Sequence, residues 1–392
     1  MKQEIKERIE LINKGIMPAG YKKTPVGICP VEWKTYKIGD IAQVVSGGTP
    51  DTKNTKYYNG DINWFTPTEI GLTRYVSESK IKITSEGLKN SSAKIVPAGN
   101  ILLTSRATIG EMSFNLIDCS TNQGFQSLII KDSTLKNVVY FNNYKLKKQM
   151  QIYANGSTFL EISNKDVKKL KINISDKKEE NLAIVKVLDS ATRQVELQEQ
   201  LVDKLKVQKK ALMQKLLTPQ PDWQEVKLGD ICEITTGKLD ANEMVENGKY
   251  PFFTCSKDIY KIDKYAYDME ALLMAGNGEI GDIKYYNGKF NAYQRTYILY
   301  NFTFNIKYAM QYLLLHFNKA VCKGSQKSSM PYIRVDLLNN AKILYPQNLD
   351  QIAIFLENFD KKIELQQKLL EQYKLRQKAL MQLLLTGIVR VD

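Results

Sequence analysis

Two stretches of this sequence are near copies of one another, set a fixed distance apart. Lys210-Ala211-Leu212-Met213-Gln214-Lys215-Leu216-Leu217-Thr218 returns 168 residues later as Lys378-Ala379-Leu380-Met381-Gln382-Leu383-Leu384-Leu385-Thr386. The same offset relates Ile184 to Ile352, and Val195-Glu196-Leu197-Gln198 to Ile363-Glu364-Leu365-Gln366. In the first copy apolar residues recur three and four apart at Ile184, Leu188, Ala191, Val195, Val202, Leu205, Leu212 and Leu216. The second copy places Ile352, Leu356, Phe359, Ile363, Leu370, Tyr373, Leu380 and Leu384 in the same register. A seam kept over roughly four to five heptads predicts two coiled-coil helices. At 1.5 Å per residue each is a rod of roughly 50 Å.

The repeat extends beyond the helices. Trp33-Lys34-Thr35-Tyr36-Lys37-Ile38-Gly39-Asp40-Ile41 has its counterpart in Trp223-Gln224-Glu225-Val226-Lys227-Leu228-Gly229-Asp230-Ile231. The chain is therefore one unit used twice, a variable domain followed by a long helix. The expected boundaries are 1–181 for a short amphipathic arm and the first domain, 182–218 for helix one, 219–349 for the second domain, and 350–392 for helix two and the tail. Both domains read as mixed α/β. Strand-like runs stand at Asn100–Thr104, Ser127–Ile130, Ala271–Met274 and Arg295–Tyr300, with helices near Val138–Tyr153 and Ile306–Asn318. Pro219 and Pro221 end helix one and stiffen the connection to the second domain. The Trp pair lies 190 residues apart, so domain one carries extra loop upstream of Gly156. Helices kept alike and loops allowed to differ suggest a fixed frame holding two different readers.

Composition limits the partners. The chain has 392 residues, 56 Lys and Arg against 42 Asp and Glu, and a formal charge of +14. That excess favours a polyanion or an anionic surface. The N-terminus has no apolar core of a signal peptide, and no apolar run approaches the ~18 residues of a membrane span. Five scattered cysteines and one histidine give no metal-ligand spacing. Reduced thiols in the cytoplasm are the expectation.

These features resemble a specificity subunit of a type I restriction–modification system. The resemblance rests on the two Trp…Gly-Asp-Ile openings, Gly47-Gly48-Thr49-Pro50 with Tyr58-Asn59-Gly60-Asp61-Ile62, Thr121-Asn122-Gln123-Gly124, and the two helix endings. It implies an α+β architecture, with two mixed α/β target-recognition domains joined by two long antiparallel coiled-coil helices in a pseudo-two-fold arrangement. It implies double-stranded DNA as ligand and a split target. The implied partners are two methyltransferase subunits and restriction (motor-nuclease) subunits. S-adenosylmethionine, ATP and Mg would sit on those partners and no cofactor on this chain. No membrane partner is implied.

The residues themselves agree that the chain is not an enzyme. There is no Asn/Asp-Pro-Pro-aromatic motif for amino methylation and no GxxxxGK[ST] phosphate loop. One histidine, His316, assembles no Ser-His-Asp constellation. Gly276-Asn277-Gly278-Glu279-Ile280-Gly281 is formally GxGxxG, but a strand-like segment follows where a dinucleotide site needs a helix. What remains is polar, basic loop chemistry. Reading bases in the major groove takes Arg or Lys for guanine and Asn or Gln for adenine. Candidates in domain one are Lys53, Lys56, Tyr57, Arg106, Asn122, Gln123 and Ser157. In domain two they are Lys238, Lys257, Asn277, Arg295, Ser325, Gln326 and Lys327. Gln123 and Gln294 sit in strand-like runs and have an equally good reading as structural residues. Two other classes stay open at this level. One is a basic coiled-coil scaffold without DNA; the other is a stand-alone nucleic-acid enzyme, which the missing motifs disfavour.

Gln198 and Gln366 interrupt the apolar seam at matched positions near the middle of each helix. If the helices run antiparallel, the two amides meet and can hydrogen-bond. A polar seam residue costs stability and fixes register.

Overall fold

The computed structural model describes residues 3–154, 160–278, 280–320 and 332–391. The chain forms two compact units: residues 1–196 with 371–392, and residues 197–370. Helix one spans Lys178–Leu216 and helix two Leu349–Leu384. Helix one starts four residues before the expected boundary at 182, because Glu179 and Glu180 suit a helix N-terminus and complement its partial positive charge.

Within the second unit the helices are antiparallel. Gln198 Nε2 donates to Gln366 Oε1 at 2.8 Å and to the Gln366 carbonyl at 2.9 Å. Further along, Lys209 pairs with Asp360, so rising numbers on one helix meet falling numbers on the other. The first unit shows the same sense, with Ile184 and Leu188 in one core with Leu384 and Leu385. There Gln377 Nε2 donates to Thr192 Oγ1 at 2.9 Å. Ile184, Leu188, Ala191, Val195, Val202 and Leu205 are buried as expected. Near the end of helix one the buried pair is Met213 and Leu217, one position beyond the expected Leu212 and Leu216. Leu212 and Leu216 are partly buried against the same core.

The two domains use one plan. In domain one Ala42–Ser46 lies antiparallel to Gln126–Ile130, which pairs in turn with Ile101–Leu103. In domain two Glu233–Thr236 lies antiparallel to Thr296–Tyr300, which pairs with Tyr267–Ala275. Each domain also has a parallel pair: Tyr58–Phe65 with Cys119–Thr121, and Tyr250–Phe253 with the end of Ile283–Ala292. Two-stranded ribbons feed the helices, Lys34–Lys37 against Lys171–Ile174 and Gln224–Lys227 against Lys342–Tyr345.

The Gly-Asp-Ile motif now has a physical reason. Ile38–Ile41 and Leu228–Ile231 are single helical turns. Ile38 N donates to the Leu170 carbonyl and Leu228 N to that of Ala341, both at 2.8 Å. A Cβ on Gly39 would stand 3.0 Å from Lys168 Cβ, and one on Gly229 3.1 Å from Asn339 Cβ. A larger residue would have to push the late helix of its domain back by a few tenths of an ångström for the turn to close on it.

The expected helix near Val138–Tyr153 is broken into Lys136–Phe141 and Asn143–Tyr153. Asn142 is buried at the break and its Nδ2 takes the Val138 carbonyl at 2.9 Å, competing with the helical ladder. The strand expected from Arg295 starts at Thr296.

The tail after helix two is fastened into the first unit. Lys145 Nζ donates to the Leu385 carbonyl at 2.8 Å, and Tyr21 Oη to that of Gly387 at 2.6 Å. Arg390 pairs with Glu32 and with Glu180, whose side chain is only 5% exposed. Trp33 Nε1 donates to the same Glu180 carboxylate at 3.1 Å.

Two outcomes are expected from these contacts. Replacing Gln198 alone with Leu leaves the Gln366 amide short of a partner, and should destabilise the second unit by about 1 kcal/mol. Replacing both should restore the loss or exceed it. A thermal-unfolding double-mutant cycle measures this, and additive effects would deny any coupling. The second outcome concerns Glu180. Burial pushes its pKa up, but hydrogen bonds from Arg390, Ser175 and Trp33 outweigh burial, and the net shift is downward from 4.5. A carboxyl with a depressed folded pKa stabilises the fold above its unfolded pKa and loses that contribution as pH falls through the folded value. The thermal midpoint should therefore fall as pH drops below about 4.5. Glu180→Gln should flatten that acid limb; an unchanged limb would assign it to other carboxylates.

Candidate nucleic-acid interface

The loops at one end of each domain's sheet are held by the same backbone bonds. In domain one Asn122 N donates to the Phe65 carbonyl at 3.0 Å, and in domain two Tyr293 N donates to that of Phe253 at 2.8 Å. Ser105 N reaches the Gly124 carbonyl at 2.8 Å, and Gly276 N that of Arg295 at 3.0 Å. Ile162 N donates to Ser105 O, and Ile333 N to Gly276 O. These bonds equate Gln123 with Gln294, Gly124 with Arg295, and Arg106 with Asn277. The matching offset is 171 residues rather than 168 or 190, which hid it from the sequence comparison.

Glycine again makes the construction possible. A Cβ on Gly47 would lie 1.9 Å from the Asn122 carbonyl oxygen, and one on Gly237 2.1 Å from that of Ala292. In domain one the loop beyond is pinned by Trp64 Nε1 to the Gly48 carbonyl at 2.9 Å and by Tyr58 Oη to that of Pro50 at 2.8 Å.

The structure gathers several of the candidates at these two loop ends. Arg106 is half-buried, and its backbone pairs with that of Glu161 in an isolated antiparallel β-bridge. Asn122 Oδ1 accepts from Gly124 N at 2.9 Å, so this amide oxygen serves the turn itself. Lys53 and Lys56 are exposed, and Tyr57 half-buried, on the loop that leads into Tyr58–Phe65. In domain two Lys238 follows Gly237, and Arg295 is exposed on the turn, with Asn277 half-buried beside it. Lys257 is exposed near Cys255, whose Sγ lies 3.2 Å from the Arg295 carbonyl. Ser157, Ser325, Gln326 and Lys327 lie outside the described residues. Gln123 and Gln294 are not strand residues: both are exposed and stand in the turn before a strand.

Sequence reasoning missed Thr236, Tyr297 and Tyr332, which with Gly276, Gln294, Arg295 and Ile333 line a cavity of about 300 Å³. At the equivalent place in domain one Ser46, Gln126 and Asn164 hydrogen-bond to one another. The segment after Gly276–Gly281 is the strand Ile283–Ala292, antiparallel to Tyr267–Ala275, and not a helix, as its sequence surroundings suggested. Among the described residues no group of three His, Cys, Asp or Glu is placed to hold a metal ion. Among them, too, no helix is long and apolar enough to cross a membrane.

Two unlike loop sets on one repeated frame is the arrangement that comparison with known proteins recognises. The model of the type I restriction modification DNA specificity domain matches residues 30–207 and again 220–375. The chain belongs to the family of type I restriction–modification specificity subunits. It is 27% identical over 419 residues to the type I restriction enzyme MjaIX specificity subunit of Methanocaldococcus jannaschii, covering 95% of this chain and 97% of the relative. It is 42% identical over 134 residues to the EcoDI specificity subunit of Escherichia coli, covering 34% of this chain and 30% of the relative. Among solved structures, the S subunit from M. genitalium superposes with a TM-score of 0.64 at 17% identity, over 90% of this chain and 96% of that one. At such identity the likeness speaks for the specificity-subunit fold alone. The 30–207 match runs from the first opening through most of helix one.

The glycine contacts give an expected outcome. Gly237→Ala forces the Gln294 turn away from its strand, and such overpacking should cost domain two roughly 1–3 kcal/mol. Gly27→Ala meets no atom within 4 Å but carries a positive φ, so it separates crowding from backbone strain. Thermal unfolding of the two variants measures both, and an unaffected Gly237→Ala protein would refute the close approach.

Proposed function

We propose that this specificity subunit binds double-stranded DNA at a split target, with each domain reading one half. The observation that carries this is the loop end built twice by the same bonds and filled with different side chains. Arg295 stands where domain one has Gly124, and Asn277 where it has Arg106. Such differences suit base readout, in which Arg pairs with guanine and Asn with adenine. The excess of basic over acidic residues, +14 overall, suits phosphate binding.

In this reading the chain transfers no methyl group and cuts no DNA. Methylation belongs to two methyltransferase subunits and cleavage to restriction subunits, which carry S-adenosylmethionine, ATP and Mg. Exposed apolar residues recur on both helices at the shared offset and support two equivalent docking faces. Leu197 and Leu365 are 54% and 63% exposed, and Val207 and Leu375 are 69% and 68%. A cytoplasmic location follows from the partners and the DNA.

Exchanging residues 222–349 for the matching segment of another specificity subunit tests the reading. Adenine methylation mapped across a host genome should change in one half of the target and keep the other. The purified chain alone should transfer no methyl group to DNA. Changes in both halves, or methyl transfer without a partner, would overturn the reading.

A further inference from the structure

Resting on that reading, we propose that Gln123 and Gln294 are a matched pair of DNA backbone anchors, one per domain, and not readers of sequence. In this turn the two domains differ at every position but one, where they place the same residue at the same point of the fold. Thr121-Asn122-Gln123-Gly124 and Ala292-Tyr293-Gln294-Arg295 share only the glutamine. Residues that choose different bases are expected to differ between the halves, as Gly124 and Arg295 do. A residue kept the same answers to something both half-sites share, and the sugar–phosphate backbone is common to every duplex.

The side-chain chemistry fits that role. Both glutamines are exposed, so neither fills the core. Thr49 Oγ1 donates to Gln123 Oε1, which orients the amide and turns its Nε2 donors outward. Among the described residues that nitrogen has no other partner. Gln294 Nε2 gives one hydrogen to Asp240 Oδ1 at 2.7 Å and keeps its second. Gln294 N also donates to the Leu239 carbonyl at 2.8 Å, fixing the turn from below. Each domain thus offers a pre-oriented N–H donor, and phosphate oxygens only accept. The neighbours that hold the amides differ, Thr49 in one domain and Asp240 in the other, so the shared residue is not explained by a shared tether.

The test uses the full chain assembled with its methyltransferase partner and two duplexes, one carrying the mapped target and one of unrelated sequence. Gln123→Glu keeps an acceptor for Thr49 but replaces the donors with a negative charge. It should weaken binding to both duplexes alike, by roughly tenfold. Gln123→Lys and Gln294→Lys should bind at least as well as wild type and steepen the salt slope by about one. The methylated sequence should stay the same in both Lys variants. Wild-type affinity for Gln123→Glu would overturn the proposal. So would an equal loss in the Glu and Lys variants with a lowered thermal midpoint, which would make the glutamine structural. A changed methylation sequence in a Lys variant would overturn it too, by making the residue a reader. If the wild-type complex bound neither duplex, the specificity reading would fail instead.

Discussion

A single amide pair inside an apolar seam fixes how the two long helices meet. Apolar heptads alone would accept a slip of seven residues, which is about 10 Å along the axis. In a register slipped by seven, Gln198 would face Tyr373 or Phe359, and Gln366 would face Leu205 or Ala191. The buried Gln198 amide would then lack its partner, at about 1–3 kcal/mol, and the half-buried Gln366 would lose the same bond. The 2.8 Å bond between them removes that cost in one register only. Two other polar contacts, Lys209 with Asp360 in the second unit and Gln377 with Thr192 in the first, have the same antiparallel sense. Specificity of alignment thus comes from the few residues that weaken the seam, and stability from the many that do not.

Each domain is tied to a helix by its own chemistry. In the first unit Arg74 sits against the rings of Tyr75, Phe114, Tyr140 and Phe141 and pairs with Asp189 of helix one at 2.6 Å. In the second unit Lys307 and Gln311 reach Glu357 and Asp360 of helix two. A buried cation in an aromatic cage and a polar patch do the same mechanical job. Loop chemistry can therefore diverge while the frame stays the same.

Much of this was legible in the sequence because it rested on periodicity and repeats. The seam, the equal helix offset and the central glutamine pair need only residue spacing. The Gly-Asp-Ile motif was visible, but its cause was not, since the close approach of Gly39 to Lys168 is a tertiary contact. The candidate interface was legible as two basic, polar loop sets and not as a geometry. Gln294 was the instructive miss. Its surroundings read as a strand, and its match to Gln123 follows a third offset set by loop lengths on either side. Only backbone bonds to Phe65 and Phe253 reveal that equivalence. Asn142 misled in the opposite sense: a continuous helical pattern conceals a break made by one buried amide.

The two units differ in how the chain supplies them. The second is drawn from one uninterrupted run, residues 197–370. The first takes residues 1–196 and then 371–392, with Leu384 and Leu385 in its core and Arg390 on the buried Glu180. On a ribosome, where chains emerge from the N-terminus, the order of completion is reversed relative to the order of synthesis. The domain made second can close while the domain made first still waits for its last pieces. Loss of residues 371–392 would therefore injure the first unit and leave the second with all of its own residues.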